Sequence, residues 1–147
     1  MRGPLISVLM ALYNGGEYLK QSIKSVLDQT HDDFEFLIVN DCSTDDSLKI
    51  IESFHDKRIK VHNNAKNLGQ TPSLNIGLKL ARGDYFARMD ADDVAFPQWI
   101  QSQVNYVEKH PGYSVVSSYA VAIDEENKIK KLYKPPQNKE DIILRSL

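Results

Sequence analysis

Three aspartates lie within four positions of the sequence, in the segment ARMDADD, at Asp90, Asp92 and Asp93. Their charges repel one another, by about 4 kcal/mol for a pair about 4 Å apart at an effective dielectric constant of about 20. A divalent cation would reverse this repulsion, and Mg²⁺ and Mn²⁺ prefer oxygen ligands. Two carboxylates alone bind such an ion weakly, so water and the phosphates of a nucleotide or another phosphorylated ligand would complete its coordination. The alternative is a turn and helix cap, with a purely structural Asp93 before Pro97.

Two further side chains that could contact a ligand follow apolar segments of the chain. Asp41 could accept hydrogen bonds from a ring N–H or from ribose hydroxyls, or it could be a turn residue before a helix. Tyr13 could stack on a base, or it could pack as an aromatic residue at a strand end. Gly15 and Gly16 precede a helix, but without a G-x-G-x-x-G pattern or a Walker lysine they indicate a phosphate loop only weakly.

The elements that would position these side chains alternate between strand and helix patterns. We predict five strands, at residues 5–13, 34–40, 58–63, 84–89 and 113–123. The first two are continuous apolar runs, as expected for strands buried on both faces. The segment 126–133 is expected to pair back on the fifth strand. Arg82 and Arg88 flank the fourth strand and could either contact a diphosphate or form ion pairs.

Helices are predicted between these strands and after the last one. Ser43 and Asp46 have the spacing of a capping box for the second helix. Thr71 and Pro72 are expected at the N-cap and N1 positions of the third, with Gly83 as its stop. The apolar side of the third helix is expected to comprise Leu74, Leu78 and Ala81. A last helix at 138–147 carries a partial apolar face, which would suit a partner or a second copy of the chain: Ile142, Ile143 and Leu147.

This alternation predicts an α/β fold with a mostly parallel central sheet flanked by helices. Ligands of such sheets bind beyond the carboxyl ends of the strands. Tyr13 follows the first predicted strand, Asp41 the second, and the pair Asp90 and Asp92 the fourth. If these strands are neighbours, the side chains at their three ends line one crevice. Their convergence is a stronger indication of a site than any single motif.

The composition is that of an ordinary soluble domain. The chain has 147 residues, of which 41% are hydrophobic and 26% charged, so we expect residues 1–147 to form one domain. A net charge of −2 does not suggest a surface for nucleic acid or anionic membranes. No apolar run approaches the roughly 18 residues that span a bilayer. The lone Cys42 cannot form an internal disulfide, which fits a reducing compartment.

Two long segments carry a family resemblance: SVLMALYNGGEYLKQSIKSVLDQTHDDFEFLIVNDCSTDDS and NLGQTPSLNIGLKLARGDYFARMDADD. They resemble family 2 glycosyltransferases, inverting enzymes with a GT-A fold and a Rossmann-like nucleotide-binding half. The likeness runs from about Leu5 to Tyr119. It implies transfer of a sugar from a nucleotide diphosphate sugar, commonly a UDP-sugar, to an acceptor hydroxyl. It also implies Mn²⁺ or Mg²⁺ as cofactor and a role in polysaccharide or surface-glycan synthesis.

The resemblance also implies roles for individual residues. Ala11 and Tyr13 would border the base, commonly uracil, and Asp41 would hold the base or the ribose. Asp90 and Asp92 would form the DxD motif. Asp90 would face the ribose and the metal, and Asp92 would be the more direct ligand of a metal that binds the donor's diphosphate.

The chain departs from the family pattern in three respects. Cys42 stands where many relatives have Gly, and Leu74 stands where many have Arg, which puts a diphosphate or base contact there in doubt. The general base of the family, an Asp or Glu, lies in a segment after the fifth strand, and we expect it beyond Leu147. The chain would then be a donor-binding part that ends before the acceptor-binding segment and that transfers sugar poorly or not at all.

Two alternatives from other functional classes stay open. The first is a non-catalytic module that binds a nucleotide sugar and a metal. The second, less favoured, is a phosphohydrolase of the haloacid dehalogenase type, whose D-x-D motif follows the first strand rather than the fourth. Expected partners are the donor and a saccharide or lipid-linked acceptor, with no nucleic acid and with a homo-oligomer as one form. We expect the full-length protein in the cytoplasm, associated peripherally with the inner face of the membrane.

Overall fold

The computed structural model describes residues 4–126 and 128–135 and contains a parallel central sheet. Its strands are β1 (Ile6–Leu12), β2 (Phe34–Asn40), β3 (Ile59–Asn63) and β4 (Tyr85–Arg88). Their order across the sheet is β3-β2-β1-β4, and every neighbouring pair is parallel. The helices are α1 (Leu19–Leu27), α2 (Ser47–Glu52), α3 (Gln70–Leu80) and α4 (Trp99–Lys109). The predicted α/β fold is thus confirmed.

The two central strands form the core of the sheet. Every residue of β2 is buried, and so is every residue of β1 except Ala11. Strands with neighbours on both sides and helices on both faces have no solvent-facing positions, which accounts for their continuous apolar sequences. Because Leu12 pairs with Asn40 and Leu9 with Arg88, the carboxyl ends of β1, β2 and β4 meet at one edge of the sheet.

The predicted capping box of α2 is wrong. The helix begins at Ser47, and its N-cap residue Asp46 makes no side-chain capping bond. Oδ1 of Asp45 instead accepts a hydrogen bond of 3.0 Å from the backbone N–H of Ser47. The hydroxyl of Ser43 accepts a hydrogen bond of 3.0 Å from the backbone N–H of Asn14, so it is engaged by another loop.

The start and the buried face of α3 also differ from the prediction. Gly69, with a φ of 89°, is the N-cap residue, so Thr71 and Pro72 lie inside the first turn. There Pro72 is tolerated because no intrahelical partner is available for its missing N–H. The helix buries Ser73 and Gly77, whereas Leu78 remains 40% exposed.

Two glycines lie close to the sheet, and they differ in how much room is left beside them. A Cβ atom at Gly77 would lie 3.4 Å from Cγ2 of Val39, which is ordinary van der Waals contact. The helix ends at Leu80, so Gly83 is not its stop. A Cβ atom at Gly83 would lie 2.5 Å from the backbone nitrogen of Ser7, which only glycine can accommodate.

The described residues divide into two compact units, with the boundary between Gln101 and Ser102. The second unit contains a separate antiparallel pair, β5 (Ala120–Ile123) and β6 (Ile129–Tyr133). The predicted pairing of 126–133 with the fifth strand is therefore confirmed. The predicted strand at 113–123 is wrong for residues 113–119. Their side chains are mostly exposed, and their backbone pairs with no strand in the described structure.

Two remaining features of the sequence concern the ends of the chain and the membrane. The helix predicted at 138–147 lies outside the described residues. Among the helices of residues 4–126 and 128–135, none combines the length and the apolar character that crossing a bilayer requires.

Candidate functional site

A crevice of about 540 Å³ opens at the carboxyl ends of β1, β2 and β4. Its lining includes all five predicted site residues: Ala11, Tyr13, Asp41, Asp90 and Asp92. The sheet order brings them together, since β1 lies between β2 and β4. Two backbone bonds fix the strand ends: the N–H of Asp41 donates to the carbonyl of Leu12 at 2.8 Å, and that of Met89 to the carbonyl of Leu9 at 3.0 Å.

Tyr13 provides an aromatic surface at this crevice. Its side chain follows directly after β1 and is half exposed. An exposed ring on a crevice wall is suited to stacking on a flat ligand, because aromatic faces contribute a large contact area. The stacking role assigned to Tyr13 nevertheless stays a prediction.

Asp41 lies on the inner wall of the crevice and is 1% exposed. Its carboxylate accepts hydrogen bonds from Nδ2 of Asn64 at 2.6 Å, from the N–H of Leu68 at 2.9 Å and from the N–H of Gly69 at 2.7 Å. Burial acts to raise the pKa of Asp41, but these hydrogen bonds outweigh it and lower the pKa below its ordinary value. Asp41 is therefore an anion whose acceptor sites are largely filled by the protein.

The partners of Asp41 are not among the residues predicted from the sequence. Asn64 is buried, and its Nδ2 also donates a hydrogen bond of 2.9 Å to the hydroxyl of Ser73, which is itself fully buried. Asn64 follows β3 at the same sheet edge, so the strand-end rule that selected Asp41 would have selected it as well. The contact with Ser73, on the sheet-facing side of α3, could not be predicted from any sequence pattern.

The glycine loop after β1 is bound to the loop after β2. The backbone N–H of Asn14 donates to the hydroxyl of Ser43 at 3.0 Å, and that of Gly15 to the hydroxyl of Ser47 at 2.9 Å. The N–H of Gly16 donates to Oδ2 of Asp45 at 3.2 Å. Because these N–H groups already have partners, the structure does not support a phosphate loop at this position.

Cys42 occupies a backbone conformation that glycine adopts more easily. Its φ is 62°, in the left-handed region that side chains with a Cβ atom disfavour. This conformation gives a physical reason for the glycine that many relatives are expected to have at this position.

Arg88 neutralises one member of the acidic cluster. Its Nε and Nη2 donate to Oδ1 of Asp90 at 3.1 and 2.9 Å, and Nη2 also donates to Oδ2 at 3.0 Å. The hydroxyl of Ser22 donates to the backbone carbonyl of Asp90 at 3.2 Å. Since both carboxylate oxygens are engaged, the structure does not favour Asp90 as the nucleophile of a phosphohydrolase.

The other two aspartates of the cluster have different surroundings. Burial, followed by the charges of Asp92 and Asp90, raises the pKa of Asp93 above its ordinary value. The backbone N–H of Asp93 closes a turn by donating to the carbonyl of Asp90 at 3.2 Å. Asp92 lines the crevice, is exposed, and receives no hydrogen bond or ion pair from the described residues.

The donor set at this edge suits a hard divalent cation only in part. Asp90 and Asp92 supply carboxylate oxygens, which Mg²⁺ and Mn²⁺ prefer. In the described part of the chain, no group of three or more His, Cys, Asp or Glu side chains is arranged to hold a metal ion. The residues therefore fit such an ion if a ligand's phosphates and water provide the remaining oxygens.

Arg82 does not belong to the crevice. Its Nε and Nη2 donate to Oε2 of buried Glu35 at 3.0 and 2.8 Å, and its backbone N–H donates to Oε1 at 2.7 Å. The hydroxyl of Ser7 also donates to Oε1, at 2.7 Å. Burial acts to raise the pKa of Glu35, but the hydrogen bonds from Ser7 and Arg82 and the charge of Arg82 lower it overall. This network stabilises the amino ends of the strands.

Comparison with protein families and curated proteins gives a consistent result. Residues 7–146 match the family described as Glycosyl transferase family 2. A protein of Haemophilus influenzae named an uncharacterized glycosyltransferase is 46% identical over 125 residues, which is 84% of this chain and 39% of that protein. Another, from Methanocaldococcus jannaschii, is 41% identical over 143 residues, 95% of this chain and 49% of that protein. The chain thus spans less than half the length of these relatives.

Solved structures with the same fold include TarS from S. aureus. TarS 1–349 in complex with UDP-GlcNAc has a TM-score of 0.69 and 27% identity, covering 77% of this chain and 37% of that chain. A mannosyltransferase from Pyrobaculum calidifontis, in complex with GDP-Man and Mn²⁺, has a TM-score of 0.63 and covers 73% of this chain and 32% of that chain. At 21% identity, the second likeness concerns the fold alone.

Proposed function

Because this chain belongs to glycosyltransferase family 2, we propose that it forms the donor-binding part of an enzyme that transfers a sugar from a nucleotide diphosphate sugar. The observation that carries the proposal is the convergence of Tyr13, Asp41, Asp90 and Asp92 on one crevice. Its volume of about 540 Å³ lies within the range of about 300–1,000 Å³ typical of small-molecule sites. The likeness to TarS, solved with UDP-GlcNAc, supports a UDP-sugar as the donor.

In this proposal each crevice residue contacts a different part of the donor. Ala11 and Tyr13 border the uracil, with the exposed ring of Tyr13 stacked on it. Asp41 contacts the base or the ribose through whatever acceptor capacity its protein partners leave free, and it also fixes the segment at Leu68 and Gly69 through their N–H groups. Asp90 faces the ribose.

Asp92 and Asp90 are the residues that would hold Mn²⁺ or Mg²⁺, with the open carboxylate of Asp92 as the more direct ligand. When bound, such an ion supplies Lewis-acid stabilisation of the negative charge that develops on the leaving nucleoside diphosphate. The crevice walls hold the nucleotide so that the anomeric carbon can align with an acceptor hydroxyl.

The rest of the reaction belongs to the longer enzyme. We propose inversion at the anomeric carbon, with a carboxylate base outside this chain taking the proton of the acceptor hydroxyl. The acceptor is a saccharide or a lipid-linked saccharide in polysaccharide or surface-glycan synthesis. The proposed location is the cytoplasm, at the inner face of the membrane.

The test is calorimetric titration of UDP, with and without Mn²⁺, into the 147-residue chain and two Asp→Asn variants. We expect Mn²⁺-dependent binding that is lost in Asp92→Asn. Asp32→Asn removes the same charge before β2, at the opposite edge of the sheet, and should leave binding unchanged. Absence of UDP binding to the wild-type chain in the presence of Mn²⁺ would contradict a UDP-sugar site, and titration of GDP and TDP would then decide whether another nucleotide is used.

A further inference from the structure

Arg88 places a positive charge within the acidic cluster. It is the last residue of β4, and its guanidinium engages both oxygens of Asp90 through the three hydrogen bonds described above. The two side chains are 56% and 37% exposed, and Asp90 lines the crevice. An exposed ion pair is of modest strength, and a ligand with a suitable charge can compete with it.

These hydrogen bonds limit what Asp90 can still bind. A carboxylate oxygen accepts about two hydrogen bonds, so the two from Arg88 and a longer one of 3.5 Å from Nε2 of Gln70 fill Oδ1, while Oδ2 keeps about one free position. A hydroxyl group can use that position without disturbing the pair. A divalent cation approaching Asp90 instead meets the positive charge of Arg88 and must displace part of its hydrogen bonding.

The carboxylate of Asp92, unlike that of Asp90, is open to a ligand. It lines the same crevice, and among the described residues no side chain or backbone N–H donates to its carboxylate. Two carboxylates of identical chemistry, two positions apart, therefore present different affinities to a cation. The difference arises chiefly from Arg88, because no other cation is paired with Asp90 in the described structure and Gln70 adds only a neutral donor at 3.5 Å.

We propose that Arg88 is a positioning residue that makes cation binding conditional on the nucleotide. By holding Asp90, it leaves Asp92 as the one open carboxylate of the pair, which binds Mn²⁺ or Mg²⁺ weakly by itself. The cation is bound tightly only when a diphosphate supplies further oxygens. This inference rests on the donor site of the proposed function and adds to it a residue that sets the interdependence of metal and nucleotide.

The experiment measures Mn²⁺ binding by the electron paramagnetic resonance signal of the free ion, first without nucleotide and then with UDP. The chains compared are the wild type, Arg88→Gln, Arg88→Lys and the control Lys79→Gln, which removes a positive charge from the exposed surface of α3. We expect Arg88→Gln to bind Mn²⁺ alone about three- to tenfold more tightly than the wild type. The enhancement of binding by UDP should shrink by a similar factor.

The other variants separate charge from geometry. Arg88→Lys keeps the charge but loses the planar pair of donors, so an intermediate affinity for Mn²⁺ alone is expected. Lys79→Gln should behave as the wild type. Each variant changes an exposed side chain, and its melting temperature is recorded as a check on folding.

The outcomes distinguish the two proposals. If the wild type binds UDP with Mn²⁺ but Arg88→Gln binds Mn²⁺ alone no more tightly, the role of Arg88 is wrong and the donor site stands. An equal increase in Mn²⁺ affinity in Lys79→Gln would also show that the role of Arg88 is wrong, because the increase would then reflect net charge alone. If the wild type binds no nucleoside diphosphate in the presence of Mn²⁺, the donor site fails, and the inference about Arg88 fails with it.

Discussion

The side-chain amide of Asn64 donates a hydrogen bond of 2.6 Å to Oδ1 of Asp41, across 23 positions of the sequence. The bond joins the end of β3 to the end of β2 behind the wall of the crevice. A buried carboxylate is stable as an anion only if it is hydrogen-bonded, and Asn64 is one of the side chains that support it. The same amide reaches Ser73, so α3 is held to this edge of the sheet through Asn64.

Replacing Asn64 by Ala should therefore destabilise the fold. The change removes a donor from a buried charge, for which about 1–3 kcal/mol of unfolding free energy is expected to be lost. Urea denaturation measures the loss. The control is Asn75→Ala on the exposed side of α3, where an effect within about 0.5 kcal/mol is expected. Equal stabilities of the two variants would show that Asn64 does not support Asp41.

The fold should lose stability in acid through Glu35 and Asp41. Folding lowers the pKa of Glu35 from its ordinary value of 4.5 and that of Asp41 from its ordinary value of 3.8. Their stabilising contribution is thus present above these values, and it is lost as the pH falls toward the pKa values of the folded state, since the unfolded chain then binds more protons.

Urea denaturation between about pH 7 and about pH 3 tests this dependence. Glu35→Gln removes one group whose pKa is lowered by folding, so its stability should fall less steeply below about pH 4.5 than that of the wild type. Glu52→Gln, at an exposed position, serves as the charge control and should keep the wild-type profile. A wild-type profile in Glu35→Gln would rule out the contribution of Glu35.

The same substitution should have opposite effects at two glycines. At Gly77, a Cβ atom would meet Val39 and Leu9 at 3.4 and 3.5 Å, which is ordinary contact. Gly77→Ala should raise the unfolding free energy by about 0.5–1 kcal/mol, because alanine favours the helix. Gly83→Ala should lower it by about 1–3 kcal/mol, because the new methyl group overlaps the backbone of Ser7.

Chemical denaturation of the two glycine variants provides the measurement. Gly112→Ala is the control, since a Cβ atom there meets nothing within 4 Å. The close approach of Gly83 to Ser7 would be wrong if Gly83→Ala were as stable as the wild type.

Truncation of Tyr13 should weaken nucleotide binding without affecting the fold. Stacking of a base on an aromatic side chain contributes about 1–3 kcal/mol, so Tyr13→Ala should raise the Kd for UDP about 5- to 150-fold. Tyr13→Phe keeps the ring and should bind UDP nearly as the wild type does. Calorimetric titration in the presence of Mn²⁺ compares the three chains. Unchanged affinity in Tyr13→Ala would remove this residue from the base site.

The parts of the molecule that were predictable from sequence are those that depend on local patterns. The apolar runs at 5–13 and 34–40 correspond to β1 and β2, because strands buried on both faces have few polar positions. Tyr13, Asp41 and the acidic cluster all follow predicted strands, and this position indicated that they belong to one site. Their assembly in one crevice required only that β1 lie between β2 and β4.

The parts that were missed depend on distance in space. The buried face of α3 consists of Ser73 and Gly77, neither of which is a large apolar residue, whereas a pattern of apolar residues selects Leu78. The role of Asn64 arises from partners on two other elements. Residues 113–119 are apolar enough for a strand, but a strand also needs a neighbour to pair with.

The bonds between the loop after β1 and the loop after β2 have a consequence for ligand affinity. Ser43, Asp45 and Ser47 accept hydrogen bonds from three successive N–H groups of the other loop. These bonds fix the conformation of both loops before any ligand binds. A ligand that enters beside them need not order this part of the wall, so little conformational entropy is lost on binding. The crevice is preorganised on this side, and affinity there depends on the contacts made rather than on the folding of a loop.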